Sequence, residues 1–121
     1  MKSETKPLPF SGELEGISEN TTAIHHDKLY AGYVAKKNEI EEKLKPLSRG
    51  GDVSSANQTF SELRALKDGE TFAANGVYLH ELYFAVLGGD GAPTGSLKDA
   101  LENEFGSLEN FIYYFSACGM A

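Results

Sequence analysis

His25 and His80 are two of the three histidines in this 121-residue chain, and each lies in the middle of a helical pattern. A neutral imidazole is a good ligand for a first-row transition metal. One imidazole from each of two facing helices is a common start to a metal site in a helical bundle. Two ligands leave a coordination sphere incomplete, so the rest must be sought elsewhere. The third histidine, His26, directly follows His25 and would point about 100° away around an α-helix. The two adjacent rings are therefore not expected to face the same core. His80 shares a helical stripe with Gly76, Tyr83, Phe84 and Leu87. An unpaired imidazole on such an aromatic-lined face is costly, which calls for a metal or a hydrogen-bonding partner.

No other constellation competes. His80-Glu81 is not a zinc-protease motif, because Phe84 stands where the second histidine would be. Gly88-Gly89-Asp90-Gly91 has no following Gly-Lys-Ser/Thr, and there is no Gly-x-Ser-x-Gly elbow. Glu39, Glu41 and Glu42 read as a solvated helix face. The formal charge of −7, from 11 basic and 18 acidic side chains, argues against a nucleic-acid module, which needs a basic stripe. Any attraction of an anion must then be local, with Lys28, Lys36 and Lys37 the candidates. No apolar run approaches the roughly 18 residues of a membrane span, and Met1–Phe10 lacks the apolar core of a secretory signal. A cytoplasmic location is expected. Cys118, the single cysteine, excludes an intrachain disulfide and reads as a buried structural thiol.

The elements that must position the histidines are helices. Residues 1–16 read as an extended lead-in, held out of helix by Pro7 and Pro9. Thr21–Leu44 is apolar at Ile24, Leu29, Tyr33, Ile40 and Leu44, after the cap-competent run Ser18-Glu19-Asn20. Pro46 is expected to mark its end. Val53–Lys67 reads as a weaker helix with Phe60, Leu63 and Leu66, interrupted by Asp68-Gly69. Phe72–Leu87 follows as the second strong helix. Leu97, Leu101 and Phe105 lie on one face of a short helix, and Phe111, Phe115 and Cys118 on another. Ser116–Ala121 is small and apolar, as though it lay beside a packed region. No alternating strand pattern occurs, so the fold class is all-α: a long antiparallel helical hairpin followed by short helices. The expected organisation is the lead-in 1–16, a hairpin domain 17–90 carrying both histidines, and short helices over 91–121.

Three ordered blocks resemble one family. Leu8-Pro9-Phe10, Ile17-Ser18, Ile24-His25-His26-Asp27-Lys28 and Tyr33-Val34 resemble the opening of iron/manganese superoxide dismutases. Asn75-Gly76-Val77-Tyr78-Leu79-His80, with Tyr83-Phe84 and Leu87, resembles the family's second ligand helix. Pro93-Thr94-Gly95, Phe105-Gly106-Ser107, Phe111 and Phe115 follow in family order.

The resemblance implies that His25 and His80 are metal ligands for iron or manganese, one ion per completed site. It implies that Tyr33 is the gateway tyrosine, which serves the metal-bound solvent and helps deliver protons. Phe84 falls where the family usually has a tryptophan beside the metal. Gly76 matches a position that separates subtypes, and glycine there leans toward the manganese or metal-tolerant pattern. Leu29-Tyr30 replaces the family's usual His-His pair, removing a hydrogen-bonding group near Tyr33. The family's C-terminal α/β domain, which supplies one aspartate and one further histidine, is not encoded before Ala121. The expectation is therefore the N-terminal subunit of a split superoxide dismutase, completed by a separate C-terminal half chain in a heteromer. Alternatives are a non-catalytic helical interaction module derived from the enzyme, or a homo-oligomer with an altered metal site. Superoxide is the implied substrate, with no nucleic acid and no membrane as partner.

Overall fold

The computed structural model describes residues 2–121 and, as expected, is helical, with no strand among the described residues beyond an isolated Leu14–Ile17 bridge. It divides into two compact units, Met1–Gly88 and Gly89–Ala121.

In the first unit one long helical rod carries His25. It consists of α1 (Glu19–Ile24), a π-helical turn (His25–Tyr30) and α2 (Ala31–Ser48). Ser18 caps it, its hydroxyl accepting the Thr21 N–H at 3.2 Å. Pro46 lies inside the last turn of α2 rather than ending it, because a proline so near the terminus forfeits few helical bonds. Val53–Lys67 does not form a separate weak helix: residues 53–61 are turns and coil, and Glu62–Lys67 is already the start of the next long helix. Asp52 and Asn57 accept the N–H groups of Ser54 and Thr59 at 2.8 and 2.7 Å, turns that compete with helix. Ser61 then caps α3 (Glu62–Ala85) by accepting the Arg64 N–H.

That second rod runs straight through Asp68-Gly69. The reason is packing: a Cβ on Gly69 would meet Ile40 Cδ1 at 3.2 Å, and one on Gly76 would meet the Tyr33 ring at 2.2 Å. The two glycines, seven residues apart, face α2 where the rods come closest. Pairing Ile40 with Gly69, Tyr33 with Gly76 and His25 with Phe84 moves up one rod as it moves down the other, which is an antiparallel hairpin. The core lies along this seam: Tyr30, Val34, Val77 and Phe84, with Leu8, Tyr33 and Leu87 packed on it. Burying each such apolar side chain is worth about 1.5–3 kcal/mol.

The second unit contains α4 (Gly95–Phe105) and α5 (Leu108–Met120). Gly106 in the left-handed region (φ +79°) ends α4, and Ser107 caps α5 by accepting the Asn110 N–H. Phe105 touches Phe111 and Tyr114. Neither helix buries a residue, and Cys118 is exposed rather than buried because this unit has no interior to receive it.

Candidate metal centre

The hairpin register sets His25 and His80 against each other, with ring centres 4.9 Å apart and planes at 82°. Two imidazoles bound to one ion through nitrogens at about 2 Å have ring centres on the order of 4–6 Å apart. The spacing of the His25 and His80 rings lies within that range.

The protonation of each ring follows from its partners. His80 Nδ1 lies 2.6 Å from the Gly76 carbonyl oxygen. A carbonyl only accepts, so Nδ1 carries the proton and Nε2 keeps the lone pair. This satisfies the partner requirement read from the sequence, and it fixes the tautomer as outer hydrogen bonds to metal-binding histidines commonly do. The His25 ring is partly buried, and burial, reinforced by nearby His80, lowers its pKa below the usual imidazole value. That direction favours the neutral form, the form that binds a metal.

His26 behaves differently. Its Nδ1 meets the Asp27 carboxylate at 2.6 Å and its Nε2 the Lys6 carbonyl oxygen at 2.7 Å. Both neighbours are acceptors, so both ring nitrogens are engaged and neither is free for a metal. Burial pulls its pKa down, but the bonds to Asp27 and Lys6 outweigh it and the net shift is upward. The two adjacent rings, expected not to face the same core, nonetheless share one neighbour. His25 and His26 both contact Phe84, at 5.2 and 5.5 Å between ring centres. A π-helical turn starts at His25, of the single-turn kind common at functional sites.

Phe84 is buried and touches His25, His80 and Tyr30 as well as His26. Tyr33 lies 5.1 Å from His80 and reaches over the bare backbone of Gly76, where any side chain would displace it. A cavity of about 480 Å³ opens beside Tyr33, lined by Lys28, Leu29, Lys36 and Phe72 among others. Of the three candidate cations, Lys36 pairs with Glu39, and Lys37 is tied to Glu41 and the Ser3 hydroxyl. Lys28 is the candidate that lines this cavity without an ion-pair partner among the described residues.

Sequence reasoning missed Tyr30 as a working part of the site, treating it as a departure from a pattern. It is the most completely buried large side chain, stacked on His80 at 6.1 Å and 21°. Its hydroxyl donates to Glu81 at 3.0 Å and accepts the Lys6 N–H at 3.1 Å. Burial is the main cause that raises its pKa. A tyrosine one helical turn beyond His26, on the face opposite Glu81, was the available signal. Among the described residues no group of three or more His, Cys, Asp or Glu side chains could hold a metal. The two histidines are a pair and not a complete shell.

The sequence pattern for "Iron/manganese superoxide dismutases, alpha-hairpin domain" matches residues 5–88. A relative from Aquifex pyrophilus named as an iron superoxide dismutase is 47% identical over 110 residues, covering 89% of this chain and 51% of that protein. One from Aquifex aeolicus with the same name is 50% identical over 98 residues, covering 79% of this chain and 46% of the relative. A mitochondrial manganese superoxide dismutase of Petromyzon marinus is 36% identical over 107 residues, covering 87% of this chain and 69% of that protein. The chain spans about half the length of the first two relatives.

Proposed function

The chain belongs to the iron/manganese superoxide dismutase family, and from that premise we propose that it supplies His25 and His80 as half of the protein ligands of a redox metal. The remaining aspartate and histidine come from a C-terminal domain borne on a separate partner chain, in a heteromeric assembly in the cytoplasm. The observation that carries this reading is the 4.9 Å pairing of His25 with His80, with His80 Nδ1 held by Gly76.

Iron or manganese, both within the family's range, would supply one-electron chemistry, by which two superoxide ions and two protons become oxygen and hydrogen peroxide. The chain's own residues do the rest. His25 and His80 project from two packed rods, so the pair is preorganised by the hairpin seam. Phe84 and Tyr30 pack around the rings and keep water from that side. Tyr33, whose ring lies 5.1 Å from that of His80, would serve proton delivery to reduced oxygen. Lys28, at the cavity next to Tyr33, offers a local positive charge to an anionic substrate in a chain that is otherwise acidic. Gly76 leaves the room that the Tyr33 ring occupies.

The test is complementation. The chain is co-expressed with the C-terminal domain of the Aquifex pyrophilus relative, and superoxide removal is measured for the mixture and for each part alone. Activity in the mixture that exceeds the sum of the parts is expected. A mixture without activity and without bound iron or manganese would overturn the proposal in favour of a non-catalytic helical module.

A further inference from the structure

Lys6 lies far from the two histidines in sequence, yet all three of its polar groups are engaged beside them. Its backbone N–H donates to the Tyr30 hydroxyl at 3.1 Å, and its carbonyl accepts from His26 Nε2 at 2.7 Å. Its ammonium pairs with Glu81 Oε2, while Glu81 Oε1 accepts from the Tyr30 hydroxyl at 3.0 Å. His26 adjoins His25 and Glu81 adjoins His80. Each metal-ligand candidate thus has its chain neighbour tied to the same residue of the N-terminal strap. The strap is anchored a second time, well away, where Ser3 exchanges hydrogen bonds with Asn38 at 2.8 and 2.9 Å.

We infer that Lys6 is a positioning residue, a clasp that closes the π-helical turn against α3 and thereby sets the spacing of His25 and His80. The inference rests on the reading of those histidines as metal ligands. A hairpin held only by its apolar seam resists separation but allows the rods to slide and roll. Directional hydrogen bonds from one residue to both rods remove that freedom. Glu81 gives the clasp its grip: its side chain is only 17% exposed, and losing both partners would leave a largely buried carboxylate unsatisfied. Tyr30 transmits the constraint, since its ring lies against His80 while its hydroxyl is held from both sides.

The test uses the full chain, with the metal-free ring geometry and Cu²⁺ binding read separately. Nuclear Overhauser contacts between the His25 and His80 ring protons report the spacing. Cu²⁺ serves as the probe ion, and its electron paramagnetic resonance spectrum counts bound imidazole nitrogens. Lys6→Met and Tyr30→Phe are expected to weaken the ring contact, lower Cu²⁺ affinity about tenfold and lose one nitrogen from the spectrum. Helical circular dichroism should persist in both. Lys6→Arg should restore the contact, and Asn38→Ala, which frees the strap only at its distant anchor, should leave both readouts unchanged. Retention of ring contact and affinity in Lys6→Met and Tyr30→Phe would overturn the clasp, as would an equal loss in Asn38→Ala. If His25→Ala binds Cu²⁺ as tightly as the unaltered chain, the ligand reading itself fails, a result separable from the metal-free ring contact.

Discussion

The hairpin and the helical pair that follows it are equally helical, yet they use apolar residues in opposite ways. In Met1–Gly88 the buried residues Tyr30, Val34, Ile40, Ala73, Val77 and Phe84 form a seam between two rods, and the histidine pair sits at one end of it. In Gly89–Ala121 aromatic and aliphatic side chains are as frequent, but Leu97, Ile112, Tyr113, Tyr114 and Phe115 are all more than half exposed. The first unit shows what packing does for chemistry: it fixes rings to within hydrogen-bonding tolerance. The second holds its helices by caps and local aromatic contacts, without an interior.

Phe84→Ala against Phe115→Ala is the strongest way to break that contrast. Removing the buried ring of Phe84 should cost about 3–5 kcal/mol. Removing Phe115, which is 67% exposed, should change stability by no more than about 0.5 kcal/mol. Urea unfolding of the two variants reads the difference, and equal losses would mean that the units do not differ as described. Glycines sharpen the same point at a smaller scale. Gly76→Ala drives a methyl into the Tyr33 ring and should cost about 1–3 kcal/mol. Gly119→Ala in α5 meets nothing within 4 Å and should be neutral or stabilising by at most about 1 kcal/mol. Thermal melts of both variants check the sign.

The smallest effect lies on the outer face of the hairpin. Lys36 and Lys43 flank Glu39 and bring its carboxyl down to about 2. A carboxylate depressed in the folded state stabilises above its ordinary pKa near 4.5, and that contribution is lost as pH falls toward 2. Both lysines are exposed, so the stability at stake is small. Carbon-13 titration of the Glu39 carboxyl at low salt should show a midpoint well below 4.5, moving upward as added salt screens the lysines.

Much of this was legible in the sequence, and what was not has local causes. Helical periodicity located both rods, and the histidines stood out because each interrupts an apolar stripe. Gly69 reads as a break because a helix loses stability at glycine, yet contact with Ile40 outweighs that propensity. Phe60 suggested helix over Val53–Lys67 by its spacing, but the side chains of Asp52 and Asn57 turn the backbone up to Ser61, so only Glu62–Lys67 is helical and Phe60 is left 82% exposed. The π-helical turn is a change of hydrogen-bond register that no residue of His-His-Asp-Lys-Leu-Tyr spells out. Tyr30 and Lys6 were unreadable as partners because only the folded strap brings them together.

The central claim is that His25 and His80 belong to one coordination shell. The most direct measurement is the iron and manganese content of the complemented assembly, determined for the unaltered chain, His25→Ala and His80→Ala. The account predicts about one ion per completed site in the unaltered assembly, with most of it lost in each variant. Unchanged metal content in either variant would contradict it.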